Sequence, residues 1–351
     1  MKPVSTALLL AVVSMAAPAA DPTAYDRRGP HQLSVLDIPD LHDTRRDDRA
    51  VPMKAHLPAA GGPYPLVIMS HGGGGNRESG LYQAEHVASH GYVVLSIEHP
   101  YSNTKQTKFY MSRAGGNMKP LEALHRTTKD AREVLGRPRD VSFAIDQAME
   151  WNRAHPKLAG RIDIGKIGVM GHSFGAYTTL AVCGAQPILD YLEPVVPPGR
   201  GLAGDLGDRR VTFGFAMSPQ GPCTTYFCPD SYRTVRCPLV MLTGSKDDQK
   251  RYDAAIMPAT ARREMFTLLP PGQKYFLWLK NADHFAFADN AKSFLFPSRA
   301  RRDTTRITRA LMAVSADHFL KARPEAAAAL NEQYARSLLG RVVSDMEWLE
   351  K

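Results

Sequence analysis

The chain contains 351 residues, of which 44% are hydrophobic and 23% are charged. These proportions exclude an intrinsically disordered or fibrous chain, and the length allows one large α/β domain or two domains of medium size. The formal net charge of +9 is compatible with an anionic partner, but no nucleic-acid-binding motif accompanies it, so we expect no nucleic acid as a partner.

The N-terminus has the pattern of a secretory signal peptide. Lys2 provides a positive start, residues 7–13 form an apolar stretch, and Ala17-Pro18-Ala19 is typical of a cleavage site. The apolar stretch is too short to cross a bilayer, so no transmembrane segment is predicted there. We therefore expect residues 1–20 to be removed and the mature chain to be secreted or periplasmic. The alternative is a frayed hydrophobic terminus.

Strand and helix patterns alternate along the rest of the chain. Short runs of apolar residues predict strands, and periodic apolar positions predict helices. The predicted strands cover residues 33–37, 53–57, 66–69, 92–97, 167–170, 211–217, 237–243 and 275–279. The predicted helices cover residues 81–90, 138–151, 176–183, 305–323 and 325–339. This alternation predicts an α/β fold, in which residues 21–351 form a single domain with a mostly parallel central sheet and helices on both faces.

Two long segments interrupt this alternation, residues 101–127 and residues 187–209. We interpret both as insertions that border a binding cleft. The densest basic run extends from Arg299 to Arg309. Such a run is more typical of a solvated helix face than of a binding site, although it leaves a weak attraction to anionic envelope surfaces as an alternative.

Export changes the interpretation of the four cysteines, because disulfides persist in oxidising compartments. Cys223, Cys228 and Cys237 lie close together in the sequence, whereas Cys183 lies earlier, in the predicted helix over residues 176–183, and three full pairings are open. We favour one bridge between Cys223 and Cys228, with Cys183 as a buried free thiol. No paired C-x-x-C spacing occurs, so no structural zinc site is predicted.

The segment Gly171-His172-Ser173-Phe174-Gly175 lies where a predicted strand becomes a helix. A serine between two glycines at such a junction fits a nucleophile elbow, because small neighbours allow a strained turn that lifts the hydroxyl above the sheet. The first turn of the helix adds unpaired N–H groups and a positive dipole end. The alternative is an ordinary glycine-flanked turn.

Three candidate catalytic residues follow predicted strands in the order serine, acid, histidine. They are Ser173, Asp247 and His284. A serine hydroxyl becomes a good nucleophile only when an imidazole takes its proton, and the imidazole needs a carboxylate to fix its tautomer. Asp248 is an alternative acid, and Asp283 is a weaker one because a neighbour of His284 at a strand end tends to point away.

A tetrahedral intermediate also needs two N–H donors for its oxyanion. The amide of the residue after the nucleophile, Phe174, is one candidate. The second is expected in the loop from His71 to Gly75, because glycines allow backbone amides to approach a substrate oxygen closely. We predict the Gly73 amide, with Gly72 and Gly74 shaping the turn, while a merely flexible turn is the alternative.

Five stretches also carry a family resemblance. They are Met69-Ser70-His71-Gly72, His90-Gly91-Tyr92-Val93-Val94, Glu98-His99-Pro100, the segment Gly171–Gly175 and the loop His284-Phe285-Ala286-Phe287-Ala288-Asp289. Over residues 33–320 the chain resembles the α/β-hydrolase superfamily, and within it the group of platelet-activating-factor acetylhydrolases and predicted dienelactone hydrolases. Secreted bacterial polyester hydrolases are more distant relatives. The resemblance implies an esterase-like or lipase-like enzyme of the Ser-Asp-His type that needs no metal or other cofactor.

The chain departs from this group at two places. Ala176 stands where a further glycine is frequent, and the run of four glycines after His71 is richer than the usual loop. True dienelactone hydrolases use a cysteine nucleophile, so the serine argues against that particular reaction.

Together these features predict a serine-dependent hydrolase of carboxylic esters that acts on a small-molecule or lipid-like substrate and requires no more than a monomer. An amidase or a polyester hydrolase with the same triad is an alternative, as is a catalytically silent hydrolase fold used for binding. Five aromatic residues are predicted to line an apolar acyl pocket, with core packing as the alternative. They are Phe109, Tyr110, Phe227, Phe285 and Phe287.

Overall fold

The structure is a computed structural model that describes residues 25–113, 118–222, 226–250, 256–288 and 298–351. The predicted signal peptide lies outside the described residues, as do Cys223 and Asp289. Across the described ranges, no helix is both long enough and apolar enough to span a membrane.

A mostly parallel sheet forms the centre of the described chain. The strands are β1 (Leu33–Ile38), β2 (His42–Asp43), β3 (Arg49–Ala50), β4 (Met53–Pro58), β5 (Tyr64–Ser70), β6 (Val93–Ile97), β7 (Ile162–His172), β8 (Val211–Met217), β9 (Leu239–Lys246), β10 (Gln249–Lys250), β11 (Ile256–Met257), β12 (Lys274–Asp283) and β13 (Met346–Glu350). β2 pairs with β3 and β10 pairs with β11, and the other strands form one sheet in the order β1-β4-β6-β5-β7-β8-β9-β12-β13. From β6 to β12 all neighbours are parallel, whereas β1, β4 and β13 pair antiparallel at the two edges.

Helices cover both faces of this sheet, as predicted. They are α1 (Leu81–Ser89), α2 (Thr104–Arg113), α3 (Pro120–Thr127), α4 (Ala131–Val134), α5 (Gly136–Ala154), α6 (Phe174–Val182), α7 (Thr260–Leu268), α8 (Arg301–Lys321), α9 (Pro324–Ala329) and α10 (Glu332–Ser337). Successive residues of a strand point to opposite faces. Leu66 and Ile68 of β5 therefore pack in the core formed with α5 and α6, and Val67 and Met69 pack in the core formed with α1 and α8.

Two predictions about the C-terminal region were wrong. β12 is not the last strand, because β13 pairs with it. β13 is short, lies at the edge and is rich in glutamate, a composition that disfavours a strand prediction. The helix predicted over residues 325–339 is interrupted, because Leu330 leaves helical geometry at ψ 71° and the Asn331 side chain caps α10 by accepting from the Tyr334 amide.

The segment of residues 101–127, interpreted from the sequence as an insertion without a predicted helix, contains α2 and α3. α2 lies wholly within the described residues and has no buried side chain. Its apolar residues, Phe109, Tyr110 and Met111, are consecutive in the sequence, so they lack the apolar periodicity from which helices are predicted.

The parallel strands bring four loops to the same edge of the sheet. The register pairs Ser70 at the end of β5 with Gly171 near the end of β7, and it pairs Lys246 at the end of β9 with Asp283 at the end of β12. In open α/β sheets, ligands bind beyond the carboxyl ends of the strands. The loops after β5, β7, β9 and β12 are therefore where a site is expected.

Candidate active site

Ser173 lies at the sharp turn between β7 and α6. Its backbone has φ 58° and ψ −117°, a conformation that residues with a side chain rarely adopt and that costs about 1–3 kcal/mol. The Ser173 amide donates to the Met217 carbonyl of β8 at 2.9 Å. The Gln220 side-chain amide donates to the Ser173 carbonyl, also at 2.9 Å. These bonds hold the strained serine in place.

The glycines on either side of Ser173 leave no room for a side chain. A Cβ atom at Gly175 would lie 1.9 Å from the Ser70 carbonyl oxygen at the end of β5. A Cβ atom at Gly171 would lie 2.4 Å from the carbonyl carbon of Gly175. Both obstacles are backbone atoms that cannot rotate away. The serine turn therefore depends on glycine at both positions.

The structure brings Ser173, His284 and Asp247 into one hydrogen-bonded row. Ser173 Oγ lies 2.9 Å from His284 Nε2, and His284 Nδ1 lies 2.8 Å from Asp247 Oδ1. Because an ionised carboxylate can only accept, Nδ1 carries the imidazole proton and Nε2 is the acceptor for the serine hydroxyl. The His284 side chain is 27% exposed whereas Asp247 is fully buried, so solvent reaches the histidine and not the acid.

Asp247 is held by two further side chains. Thr243 Oγ1 donates to Oδ2 at 2.9 Å, and Arg262 Nη2 lies 3.0 Å from Oδ1. Burial alone would raise the pKa of Asp247, but the charge of Arg262 and the hydrogen bond from His284 outweigh it and hold the pKa well below its usual range. Asp247 is therefore a buried carboxylate that stays ionised.

The two other candidate acids have different partners. Asp248 is exposed and accepts from the Ala259 amide at 3.1 Å. Asp283 accepts from the amides of Phe285 and Ala286 and so caps the turn that carries His284. The carboxylate bonded to the His284 imidazole is therefore that of Asp247.

The glycine loop, residues 71–75, leaves few amides for a substrate oxygen. The Gly74 amide donates to the Ser102 carbonyl at 2.7 Å, and the Gly75 amide donates to the Gly72 carbonyl at 3.1 Å. Within the described ranges the Gly73 amide has no hydrogen-bond acceptor. Phe174 is the first residue of α6, where N–H groups have no partner inside the helix. The two predicted oxyanion donors are thus amides that the fold leaves without an intrahelical or loop partner.

His71 fixes the shape of this loop from below. Its Nδ1 lies 2.6 Å from the Gly72 carbonyl oxygen, and its Nε2 accepts from the His99 amide at 3.0 Å. Burial and the nearby charge of Arg137 lower the pKa of His71 well below its usual value, so the ring is neutral. A neutral ring with Nε2 as acceptor must carry its proton on Nδ1 and donate to Gly72. The peptide group between Gly72 and Gly73, which includes the Gly73 amide, is therefore held by a hydrogen bond to its carbonyl oxygen.

A buried polar cluster lies behind the glycine loop, formed by Ser70, His99, Asp140, Arg49 and Glu133. Ser70 Oγ lies 2.9 Å from His99 Nε2, and His99 Nδ1 lies 2.8 Å from Asp140 Oδ2. Arg49 donates to both oxygens of Asp140 and to Glu133, each at 2.7 Å. Burial and the charge of Arg137 lower the pKa of His99 to about 3, so its ring is neutral. The cluster joins β3, β5, α4 and α5 beneath the loop.

Comparison with known proteins agrees with this architecture. Residues 47–143 match the family model of platelet-activating factor acetylhydrolase, isoform II. Platelet-activating factor acetylhydrolase of Cavia porcellus is 26% identical over 151 residues, which cover 37% of this chain and 34% of that protein. Cutinase cut1 of Thermobifida fusca is 28% identical over 202 residues, which cover 55% of this chain and 53% of that protein. The chain has the α/β-hydrolase fold.

A further relative matches a larger share of this α/β-hydrolase chain. Cutinase est1 of Thermobifida alba is 24% identical over 282 residues, which cover 77% of this chain and 73% of that protein. The acetylhydrolase and the cutinase described before it are matched over only about a third and about half of their own length. These relatives confirm the resemblance to platelet-activating factor acetylhydrolases, whereas the expectation that the other relatives are more distant was wrong, because the cutinases match at a similar identity and over a larger share of the chain.

The aromatic residues predicted to contact substrate divide into two groups. Phe227 is fully buried and packs against Tyr177, and Phe287 is almost fully buried and stacks on His172. Both belong to the core, so the packing alternative applies to them.

The other three aromatic residues lie nearer the surface. Phe285 lies edge-on against the His284 ring at 5.5 Å between centroids. Phe109 is 45% exposed on α2 and neighbours Tyr110 at 6.1 Å between centroids. Of the five predicted residues, Phe285 is therefore the one in contact with the hydrogen-bonded row.

Several residues at the site were not found from the sequence. Arg262 contacts Asp247, Thr243 donates to the same carboxylate, and Gln220 binds the Ser173 carbonyl. Arg262 and its neighbour Arg263 are alike in sequence, yet one is buried and the other is 42% exposed. No periodicity separates them, because α7 is only nine residues long.

The described cysteines are free thiols. Cys183 is buried, as predicted, and Cys237 is also buried. Cys228 carries a free thiol, while its predicted partner Cys223 lies outside the described residues. In the same described part of the chain, no group of three or more His, Cys, Asp or Glu side chains has an arrangement that could hold a metal ion.

We expect Gly175→Ala to abolish hydrolytic activity and to destabilise the protein. The new Cβ atom would meet the Ser70 carbonyl at 1.9 Å, and overpacking of this kind costs about 1–3 kcal/mol or more. Urea unfolding and ester hydrolysis measure the two effects. Gly204→Ala is the matched control, because a Cβ atom there meets nothing within 4 Å. Wild-type activity of Gly175→Ala would contradict the proposed tightness of the turn.

We expect Asp140→Asn to lower the free energy of unfolding by about 3–5 kcal/mol, because Arg49 would keep its buried charge without a carboxylate at that position. Asp146→Asn is the control. Asp146 lies on the same helix and also contacts two arginines, Arg45 and Arg210, but its side chain is 36% exposed. The control should cost about 1 kcal/mol or less. The free energy of unfolding of each variant is measured in denaturant. Equal losses of this free energy in Asp140→Asn and Asp146→Asn would show that burial does not decide the effect.

Proposed function

We propose that this protein is a serine-dependent hydrolase of carboxylic esters. The observation that carries the proposal is the hydrogen-bonded row from Ser173 through His284 to the buried Asp247. The amides of Phe174 and Gly73, which have no intrahelical or loop partner, are the proposed oxyanion donors. A nucleophile, a base, an orienting acid and two oxyanion donors are the groups that acyl transfer requires. The names of the relatives, platelet-activating factor acetylhydrolase and cutinase, support hydrolysis of an ester bond.

The proposed reaction has two halves. In the first, Ser173 Oγ bonds to the ester carbonyl carbon while its proton moves to His284 Nε2, and the carbonyl π electrons move to the oxygen held by the Phe174 and Gly73 amides. The carbon–oxygen bond of the ester then breaks, and Nε2 returns the proton to the leaving alkoxide, which departs as the alcohol. An acyl ester of Ser173 remains.

Water completes the cycle by the same route. His284 Nε2 takes a proton from the attacking water, a second oxyanion forms in the same position, and the acyl–oxygen bond of Ser173 breaks as the proton returns to Oγ. The product is a carboxylic acid. In both halves the imidazole gains a positive charge beside Asp247. The low pKa of Asp247 keeps its carboxylate ionised, so that it can stabilise this charge.

A second candidate substrate is a polymeric ester. The cutinase matches favour it, because cutinase est1 of Thermobifida alba aligns with 77% of this chain. Amide hydrolysis would use the same residues, but no contact in the site favours it. The preference for acyl-chain length and the hydrolysis of a polymer are therefore measured in parallel on the same preparation.

We expect Ser173→Ala to lower kcat on p-nitrophenyl esters by about 10⁴-fold or more while the protein stays folded. The mature chain is assayed with acyl groups from two to sixteen carbons and with a polyester film. A short-chain optimum would support an acetylhydrolase-like substrate, and release of soluble products from the film would support a polymeric one. Ser112→Ala is the control, because this exposed serine lies on α2.

A fluorophosphonate probe provides an independent check. It should label the wild type and the Ser112→Ala control but not Ser173→Ala. Full ester hydrolysis by Ser173→Ala would overturn the proposed nucleophile. Absence of both hydrolysis and labelling in the wild type would favour the silent binding fold.

The proposal includes export of a single hydrolase domain. Residues 1–20 are taken as a signal peptide, and residues 21–351 as the mature domain with its insertions at residues 101–127 and 187–209. N-terminal sequencing of the protein recovered from the periplasm or medium should begin close to residue 21. Recovery of the uncleaved chain from the cytoplasm alone would contradict export.

A further inference from the structure

Arg262 is a buried cation in contact with the proposed triad acid. Nη2 lies 3.0 Å from Asp247 Oδ1, and Nε donates to the Asp247 backbone carbonyl at 2.8 Å. Nη1 donates to the carbonyls of Ser218 and Pro219, both at 2.9 Å. The guanidinium therefore binds the carboxylate, the backbone of the loop after β9 and the backbone of the loop after β8.

The packing of α7 fixes where this guanidinium lies. A Cβ atom at Gly221, in the loop after β8, would lie 1.8 Å from the Ala261 carbonyl, so the loop and the start of α7 are in close contact. Asp248 accepts from the Ala259 amide at 3.1 Å and fastens the loop after β9 to the start of the helix. Arg262 thus enters the site from a helix that is held on both sides.

One carboxylate oxygen is shared by the arginine and the histidine. Asp247 Oδ1 lies 2.8 Å from His284 Nδ1 and 3.0 Å from Arg262 Nη2, and Nη2 itself lies 3.5 Å from Nδ1. Without Arg262, a fully buried carboxylate would have lost its hydration and its permanent counter-charge. It would then gain a proton more readily and could no longer support the imidazolium formed during acyl transfer.

Other charged and titratable groups surround His284. Asp247 faces it from the loop after β9 and Arg262 from α7. His172 of β7 lies 4.9 Å away between ring centroids, and desolvation lowers the pKa of His172 to about 3, so it is neutral. Asp283 caps the turn of His284 itself, and Arg301 of α8 donates to the Phe285 carbonyl at 3.3 Å.

We propose that Arg262 is a positioning residue for the reaction: it orients the Asp247 carboxylate toward His284 and keeps that carboxylate ionised to lower pH. The inference rests on the proposed ester hydrolysis and concerns the same site. It assigns a role to a residue outside the serine, histidine and acid. Because Arg262 acts through Asp247, its effect is on the rate of acyl transfer and not on substrate binding.

Arg262→Met tests this role, with kcat and KM measured from pH 4 to 9. We expect kcat to fall about 10²- to 10³-fold while KM changes less than about threefold. The acid limb of the rate profile, which belongs to the coupled Asp247 and His284 pair, should move to higher pH by about one unit or more. The sign follows because removal of the cation leaves the burial that raises the pKa of Asp247.

Two other single variants separate charge from geometry. Arg262→Lys keeps the charge but loses the planar fork, so the acid limb should stay near that of the wild type while kcat remains reduced. Arg263→Met is the matched control, because this neighbour is 42% exposed and pairs with Glu347 at 2.7 Å away from the site. Its kcat and pH profile should equal those of the wild type. If Arg262→Met does not fold, the Lys variant carries the test through its reduced kcat.

A double-mutant cycle tests whether Arg262 acts through Asp247. In the Asp247→Asn background, Arg262→Met should cause little further loss of kcat, because its partner is already gone. Independent, multiplicative losses would overturn the inference, as would a wild-type kcat and acid limb in both Arg262 variants. Those outcomes leave ester hydrolysis standing if the wild type is active and Ser173→Ala is not. An inactive wild type refutes the proposed function instead.

Discussion

The close approach of the serine turn to the end of β5 is the constraint on which the site depends. The start of α6 lies so near the Ser70 carbonyl that Gly175 has no room for a Cβ atom. This contact places the strained Ser173 beside the glycine loop, since that loop begins at the residue after Ser70. The proposed nucleophile and the proposed oxyanion loop are thereby brought together through backbone packing.

Two Ser–His–Asp rows with similar bonding occur in the described part of the chain, and burial separates their roles. Ser70, His99 and Asp140 are joined by bonds of 2.9 and 2.8 Å, as are the groups of the proposed site. All three are buried, and the pKa of His99 is lowered to about 3, so that this imidazole does not become charged near neutral pH. The row therefore supports the glycine loop, whereas His284 is 27% exposed, as the proposed proton transfer requires.

The sequence predicted those features that local pattern and strand order determine. The parallel sheet, the helices on both faces and the strand-to-helix turn at Ser173 follow from apolar runs and flanking glycines. The contact between His284 and Asp247 was predicted because both residues follow strands whose carboxyl ends share an edge. β13 was missed because an edge strand rich in glutamate lacks the buried apolar run by which strands are recognised.

The residues that local pattern could not identify are those whose burial is decided by packing between distant elements. Phe227 and Phe287 were candidates for substrate contact, yet one packs on Tyr177 and the other on His172. Arg262 differs from Arg263 only in the direction in which α7 presents it. A buried arginine contributes little net stability when desolvation is counted, so its position is better explained by the carboxylate it serves. Besides the Thr243 hydroxyl, the acid of the proposed triad thus has two nitrogen partners, a histidine that the sequence order reveals and an arginine that only the tertiary packing reveals.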